Sequence, residues 1–537
     1  MRVTTAGALL VGPRDAARRT LVQDGVPTAL AAHDATLWGE AAAAEARIRL
    51  GWLDLPNSSY DLLPRLAALR DELRAEGLDH VALCGMGGSS LAPEVICGSA
   101  GVELTVVDST DPHQVARAVG DRLERTVVVV SSKSGGTIET QAQQAIYFAA
   151  FRAAGLSDAE AHRRFVVVTD PGSPLAAAGE RDKVRALFLA DPNVGGRYSA
   201  LSAFGLVPAA LAGADVGQLL DDGQATLPDL AREVGNPGLD LGAALGGLGG
   251  AGRDKVVLVG AGSGLVDFGD WAEQLVAEST GKDGRGLLPV VVSADDAPGA
   301  KVTATNDVHL VQVGAHPATG TGVTGPLGAQ FLVWEYAVAL AGRVLGINPF
   351  DQPNVAESKA NTAEILASAG GGALPTTEPT FRDDAVEVFD PRGLLPPGTI
   401  TVGAALDALV DAVPARGYLS IHAYLDRFAD ASCAQLRDLL AARTTAAVTF
   451  GWGPRFLHST GQYHKGGPQV GAFLQITGAV TRDVEVPGQP FTLGRLQAAQ
   501  ALGDLRALAG RGRPVLRVHL RDRAGGLRQL FAACGGQ

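Results

Sequence analysis

The 537-residue sequence contains few cysteine, methionine or aromatic residues. It has four cysteines and two methionines, and Phe, Trp and Tyr together make up 5% of it. Four thiols without a CxxC pair are too few for a disulfide scaffold, so reduced cysteines are expected. The sequence also lacks HExxH and any Cys/His cluster, so neither a structural zinc site nor another metal is predicted.

Charge and hydrophobicity exclude two further classes of protein. The net charge is −12 and no basic block is present, which argues against general nucleic-acid binding. No segment approaches the roughly 18 to 20 apolar residues that a membrane span needs. Residues 1–12 lack the pattern of a secretory signal, so a cytoplasmic protein without a membrane partner is expected.

Short apolar strands alternate with helical segments along most of the chain. Apolar residues make up 46% of the sequence, enough for a large core, and the length suggests three or four domains. This alternation predicts an α/β fold with doubly wound parallel sheets. The predicted strands are 81–84, 104–107, 126–130 and 165–168, then 255–259, 288–292 and 308–313, and finally 418–423, 447–450 and 515–520.

These series divide the chain into four predicted segments. Residues 1–70 are predicted to be helical, and residues 71–235 and 236–395 to form two α/β domains. Residues 396–537 are predicted to form a C-terminal α/β segment. The glycine-rich stretch 235–252 is interpreted as a linker or helix turn between the two domains.

Two glycine-containing loops follow predicted strands and precede helices, where backbone N–H groups bind anions well. The first, 84–91, reads CGMGGSSL. With Asp108 at the end of the next strand, this loop could bind a dinucleotide, but Ser90 replaces the third glycine of the G-x-G-x-x-G motif. The loop could also be a plain tight turn. The second, 131–140, reads SSKSGGTIET. Its five hydroxyls, two glycines and one lysine suit a phosphate, although one hydroxyl could simply cap the helix. Together the loops favour a single phosphomonoester over a nicotinamide cofactor, so no cofactor is predicted.

Two further stretches carry charged residues beside glycines. In 195–199, GGRYS, Arg197 follows paired glycines. In 278–282, ESTGK, Glu278 ends a helical pattern and could be either an inert exposed carboxylate or a base.

A fifth motif, NPFDQPNV at 348–355, precedes Lys359. In order and spacing, the five motifs resemble the glucose-6-phosphate isomerase family over residues 80–365. The resemblance is closest to the isomerase half of bifunctional transaldolase/glucose-6-phosphate isomerases, without the transaldolase half. It implies two sugar-isomerase (SIS) domains, the phosphate loops in 71–235 and the catalytic Glu and Lys in 236–395.

The resemblance also implies roles for individual residues. Arg197 would stabilise an enediolate, Glu278 would move the proton between C2 and C1, and Lys359 would assist ring opening. The implied substrate-binding residues are Gly88, Ser89, Ser132, Lys133, Ser134, Thr137 and Gln352.

The ring-opening histidine of the family is missing from its usual place after Glu278. A similar string occurs much later, at 456–463, FLHSTGQY, which predicts that the C-terminal segment delivers His458 to the site. A glycine-rich surface loop is the alternative for this string. His464 and Lys465 are second candidates and His309, on a predicted strand, is a third.

The resemblance thus implies reversible isomerisation of glucose 6-phosphate and fructose 6-phosphate, a step of glycolysis and gluconeogenesis, by a homodimer. Two alternatives stay open at this point. The enzyme could also accept mannose 6-phosphate, or the chain could be a non-catalytic phosphosugar-binding regulator, although a regulator has no need of both Glu278 and Lys359.

Overall fold

The structure, a computed structural model, describes residues 1–260, 262–370, 372–375 and 377–536, and it contains three β-sheets in these ranges. Helices cover the sheets, and most strand pairs are parallel. The predicted α/β class is confirmed. None of the helices in the described residues is long and apolar enough to cross a bilayer.

The N-terminal segment is largely helical but opens with a strand, β1 (Arg2–Ala6), that the sequence analysis did not predict. This strand pairs antiparallel with a strand at 320–324, so its hydrogen bonds depend on a distant partner that local pattern does not show. The α-helices that follow are α1 (Ala8–Gln23), α2 (Val26–Ala31), α3 (Glu40–Arg47), α4 (Leu55–Ser58) and α5 (Leu63–Ala75).

The first sheet has five parallel strands in the order β3-β2-β4-β5-β6. They are β2 (His80–Gly85), β3 (Thr105–Val107), β4 (Thr126–Ser131), β5 (Phe165–Thr169) and β6 (Ala186–Leu189). Every residue of β2, β4 and β5 is buried, which explains their continuous apolar sequences. The helices of this part are α6 (Leu91–Ala100), α7 (Pro112–Gly120), α8 (Ile138–Ala153), α9 (Asp158–His162) and α10 (Pro174–Asp182).

Three helices connect the first sheet to the second: α11 (Ala203–Ala212), α12 (Val216–Leu230) and α13 (Pro237–Gly250). Helix α13 corrects the interpretation of 235–252 as a linker or turn. Its glycines allow close packing, since a Cβ atom on Gly242 would lie 2.8 Å from the carbonyl oxygen of Ala337 in a neighbouring helix. Tertiary packing therefore outweighs the low helix propensity of glycine.

The second sheet has the order β1-β10-β9-β7-β8, and all its pairs except β1–β10 are parallel. Its strands are β7 (Lys255–Val259), β8 (Leu288–Val292), β9 (Val308–Val313) and β10 (Gly320–Thr324), with helices α14 (Phe268–Thr280), α15 (Leu327–Leu345) and α16 (Ala356–Ala369). Strand β10, with two glycines in five residues, was not predicted.

The third sheet has the order β11-β12-β16-β15-β13-β14, and its last four strands are parallel. The strands are β11 (Phe381–Asp383), β12 (Val386–Phe389), β13 (Tyr418–Tyr424), β14 (Ala447–Trp452), β15 (Gly471–Gly478) and β16 (Val515–Leu520). Its helices are α17 (Val402–Asp411), α18 (Leu436–Ala441), α19 (Gly461–Gly466), α20 (Leu493–Gly510) and α21 (Arg523–Ala533). Strands β11 and β12 precede residue 396, where the sequence analysis begins its C-terminal segment.

Buried ion pairs attach the third sheet to the first. Arg455 lies 2.5 Å from Asp108 and 2.6 Å from Glu94, and Arg523 lies 2.7 Å from Asp111. All three carboxylates are nearly or wholly buried, so these contacts hold the C-terminal residues firmly over the carboxyl ends of the first sheet.

Candidate functional site

The two predicted anion-binding loops face the same cleft, which has a volume of about 410 Å³. They follow β2 and β4, which are neighbouring parallel strands, so both loops leave the same edge of the sheet. All predicted site residues line this cleft: Gly88, Ser89, Ser132, Lys133, Ser134, Thr137, Arg197, Glu278, Gln352, Lys359 and His458.

The hydroxyls of the second loop are grouped at the start of α8. Ser132 Oγ lies 3.1 Å from Thr137 Oγ1, and Ser134 Oγ accepts a hydrogen bond of 3.2 Å from the Gly136 amide. Thr137 occupies the N-cap position, but its side chain does not cap the helix. The amides of the first helical turn are therefore available to an anion in the cleft.

Lys133 lines the cleft but is bound by the protein itself. Its Nζ lies 2.5 Å from Asp170 Oδ2 and donates a hydrogen bond of 3.3 Å to the Pro192 carbonyl. Burial raises the pKa of Asp170, and Lys133 opposes that effect. The ammonium charge is thus largely balanced before any ligand binds.

The first glycine loop packs directly against the turn that carries Arg197. A Cβ atom on Gly88 would lie 2.0 Å from the carbonyl oxygen of Gly196, so no other residue fits there. This contact brings the short helical turn Gly196–Tyr198 to the rim of the phosphate loops.

Arg197 is buried, and its guanidinium is fully engaged. Nε donates to Ser279 Oγ at 2.8 Å, and Nη1 donates to Gln352 Oε1 at 2.9 Å. Nη2 donates to the carbonyls of Pro349 and Asp351, at 2.7 and 2.9 Å. A rigid, desolvated cation is therefore fixed at one side of the cleft.

Glu278 lies on the last turns of α14 with its carboxylate between two donors. Its Oε1 is 3.4 Å from Arg197 Nη1, and its Oε2 accepts a hydrogen bond of 3.1 Å from Gln274 Nε2. Gln274 also donates to the carbonyl of His458, at 2.8 Å. The sequence analysis missed Gln274, although its position one helical turn before Glu278 is the signal that could have identified it.

His458 reaches the cleft from the short helical turn Arg455–His458 of the third sheet's domain. Its Nε2 lies 2.9 Å from Glu139 Oε1, which also accepts a hydrogen bond of 2.7 Å from Gln500. Burial raises the pKa of Glu139, but His458 and Lys359 outweigh burial and hold that pKa below its usual range. Glu139 was also missed, because its partner is far away in sequence.

The other candidate residues for ring opening lie elsewhere. His309 is buried on β9, with Nε2 2.8 Å from Thr321 Oγ1. His464 is buried beside β13, with Nδ1 3.0 Å from the Tyr418 hydroxyl. Lys465 pairs with buried Asp504 at 2.7 Å and lines a smaller cavity of about 240 Å³. That cavity adjoins the cleft and shares six described lining residues with it, Lys359 and His458 among them, but Lys465 itself does not line the cleft.

Asp108, the candidate ribose ligand of the dinucleotide interpretation, is buried and paired with Arg455, and it does not line the cleft. Within the described ranges, the side chains that could together hold a metal are His80, Glu103 and Asp121. Arg122 pairs with both carboxylates of that group, and none of the three lines the cleft.

Doubly wound parallel sheets with two glycine-containing loops at one sheet edge place this chain in the SIS-domain fold class. A glucose-6-phosphate isomerase from Chlamydia trachomatis D/UW-3/Cx has this fold, with a TM-score of 0.51 at 21% identity over 63% of this chain and 78% of that one. A hypothetical protein from Thermus thermophilus matches with a TM-score of 0.57 at 25% identity over 68% of this chain and 100% of that one.

Part of the sequence is similar to one family of proteins with this fold. Residues 73–230 match the family model described as phosphoglucose isomerase. A probable glucose-6-phosphate isomerase from Haloarcula marismortui is 37% identical over 39% of this chain and 49% of its own length. The glucose-6-phosphate isomerase of Thermosynechococcus vestitus is 39% identical over 37% of this chain and 39% of its own length. That of Rubrobacter xylanophilus is 29% identical over 60% of this chain and 90% of its own length.

The matched region of this chain thus spans less than half the length of the first two relatives, and nine-tenths of the third. The predicted resemblance to glucose-6-phosphate isomerases is confirmed. The finer resemblance to the isomerase half of bifunctional proteins stays a prediction.

Proposed function

We propose that this chain catalyses the reversible isomerisation of glucose 6-phosphate and fructose 6-phosphate. The observation that carries the proposal is the carboxylate of Glu278, which faces a phosphate-competent cleft between the guanidinium of Arg197 and the amide of Gln274. A carboxylate beside a fixed cation suits proton transfer next to a carbonyl, because the cation stabilises the oxyanion that forms.

The phosphate of the substrate would bind at the hydroxyls of Ser89, Ser132, Ser134 and Thr137 and at the first amides of α8. Lys133, already paired with Asp170, would contribute less than a free lysine. The sugar would then extend across the cleft toward Glu278 and His458, which line its other side.

The chemistry would take place in two stages. His458, held by Glu139, and Lys359 would move protons at the ring oxygen and the C1 hydroxyl, so that the ring C–O bond breaks and the open-chain aldehyde forms. Glu278 would then remove the proton from C2, leaving a cis-enediolate facing Arg197. Return of that proton to C1, with transfer of the hydroxyl proton from O2 to O1, gives the ketose, so the reaction needs no external oxidant or reductant.

The test is fructose 6-phosphate turnover coupled to glucose-6-phosphate dehydrogenase, with a chelator present. We expect activity in the wild type and a loss of about 100- to 10,000-fold in Glu278→Gln, which keeps the shape but removes the base. Glu273→Gln is the matched control, because Glu273 lies on the same helix but lines a different cavity.

His458→Ala tests the histidine separately. It should lose rate mainly with cyclic substrate, whereas the exposed His316→Ala should keep wild-type rates. Unchanged activity in His458→Ala would remove that residue from ring opening and leave the isomerase proposal standing. Sugar-phosphate binding without wild-type turnover would contradict the proposal and favour a regulator.

The resemblance also motivates a homodimer, which belongs to the same proposal. Sedimentation equilibrium of the purified chain should yield a mass of about twice 55.0 kDa. A single species at the monomer mass, with full activity, would contradict it.

A further inference from the structure

A separate cavity of about 400 Å³ lies in the domain of the third sheet and shares no described lining residue with the cleft. Its walls include the last residue of β13, Tyr424, and the last two residues of β15, Thr477 and Gly478. The cavity therefore lies at the carboxyl ends of two parallel strands.

This position is the topological switch point of the third sheet. The chain leaves β13 to form β14 on one side and then returns to form β15 on the other side of β13. The connections leave the sheet in opposite directions there, which opens a crevice between strand ends. Ligands of doubly wound sheets bind in such crevices.

Arg517 on β16 supplies a charge that the protein leaves unpaired. Its guanidinium lies 3.8 Å above the ring of Phe389, and no described residue accepts a hydrogen bond from it or lies within ion-pair distance. Burial lowers the pKa of Arg517, and the charge of Glu387, which also lines the cavity, opposes that shift. The Glu387 carboxylate nevertheless forms an ion pair with Arg382, at 3.0 Å, and not with Arg517. The Nε of Arg517 is buried without an acceptor, so a ligand oxygen that reached it would supply the missing hydrogen bond.

Tyr424 adds a second unpartnered group. Its side chain is 1% exposed, and its hydroxyl has no hydrogen-bond partner among the described residues. His519 lines the same wall, with Nδ1 3.0 Å from Thr477 Oγ1. Helix α20 contributes the apolar Ala498, Ala501 and Leu502 to the lining, together with the polar Gln497.

We propose that this cavity binds a small organic anion, with its carboxylate or phosphate at Arg517 and Tyr424 and an apolar body against α20. The guanidinium edge matches the planar pair of oxygens of either head group. The proposal rests on the third sheet alone and does not depend on the isomerase activity.

Calorimetric titration with benzoate and phenyl phosphate tests this binding. The two probes share a ring and differ in head group, so they distinguish a carboxylate site from a phosphate site. Neutral benzamide keeps the shape of benzoate without its charge and should not bind. Arg517→Met should weaken binding by about 10- to 100-fold, and Tyr424→Phe should weaken it less. The matched control, Arg506→Met, changes an exposed arginine of α20 outside the cavity.

Thermal stability gives an independent readout. Without ligand, Arg517→Met should raise the unfolding midpoint, because it removes an unpaired desolvated charge. The proposal is overturned if neither probe binds, if benzamide binds equally well, or if binding falls in Ser132→Ala rather than in Arg517→Met. A lower midpoint in Arg517→Met with probe binding retained would show a structural role and also overturn it.

Discussion

Removing Arg455 should destabilise the protein in a way that depends on pH. The guanidinium is buried and lies 2.6 Å from Glu94, 2.5 Å from Asp108 and 3.2 Å from Asp270. It therefore joins the turn that carries His458 to the first sheet and to helix α14. Arg455→Met keeps much of the volume but leaves these carboxylates without their main partner.

The size of the destabilisation follows from the lowered pKa of Glu94. Burial by itself raises its pKa, but Arg455 and Arg427 reverse that effect and lower the pKa from 4.5 to about 2. Each tenfold change in proton affinity is worth about 1.4 kcal/mol, so the ionised carboxylate, after the cost of its burial, stabilises the folded state by a net of about 3 kcal/mol at neutral pH. Loss of Arg455, which makes the larger Coulombic contribution, should lower the unfolding midpoint by between about 3 and 10 °C, depending on how much of the chain unfolds as one unit.

The sign of the pH dependence follows from the lowered pKa. A carboxylate with a lowered folded-state pKa stabilises the protein above pH 4.5, and that stabilisation is lost as the pH falls toward 2. The difference between wild type and Arg455→Met should therefore be largest near neutral pH and shrink in acid.

The assay is thermal unfolding followed by circular dichroism between pH 7 and pH 3. Arg455→Met/Glu94→Gln should recover part of the loss, because it removes one unpaired carboxylate. Arg232→Met, which breaks an exposed pair with Asp229, should change the midpoint little. Equal midpoints for wild type and Arg455→Met at pH 7, or a difference that stays constant into acid, would show that Arg455 does not stabilise the fold through these carboxylates.

Three further predictions concern the cleft. Glu139→Gln should reduce turnover of cyclic substrate by about tenfold or more, because it removes the negative charge that faces His458. Turnover of the open-chain substrate should stay near the wild-type rate, and assays with both substrate forms check this. Gly88→Ala should raise KM for the sugar phosphate and lower thermal stability, because its methyl group would overlap the Gly196 carbonyl, whereas Gly250→Ala has open space and should do neither. Arg197→Lys should lower kcat by about 100-fold or more in steady-state kinetics, since an ammonium cannot replace the hydrogen bonds of the fixed guanidinium; a retained kcat would contradict that role.

The strands were predicted best where burial makes every residue apolar. Strands β2, β4, β5 and β7 are buried on both faces, so their sequences are continuous apolar runs. Strand β10 was missed because it is rich in glycine, and β15 because polar and small residues interrupt its apolar positions. Helix α13 was misinterpreted because glycine weakens an isolated helix but permits close packing in a folded one.

The loops of the candidate site were predictable because their chemistry is local. A strand, a short run of hydroxyls and glycines, and a helix start follow one another in sequence, so the anion site at Ser132–Thr137 is encoded in consecutive residues. Glu278 and Arg197 were proposed from the family resemblance, and both line the same cleft. Glu139 was missed because its partner His458 lies on a turn more than 300 residues away in sequence. Gln274 was missed although it lies one helical turn from Glu278, because its second contact, the His458 carbonyl, is also distant in sequence and is not visible in local pattern.

Residues close together in the chain specify the α/β class, the strands with continuous apolar runs and the two glycine-containing loops, since each of these features depends on local pattern. Which histidine reaches the cleft depends instead on how distant parts of the chain pack. The three candidate histidines are chemically alike. His309 is buried on β9 and His464 is buried beside β13. His458 lines the cleft, because the ion pairs of Arg455 hold its turn over the first sheet. The position of His458 thus depends on contacts between distant segments, which a local sequence pattern does not encode.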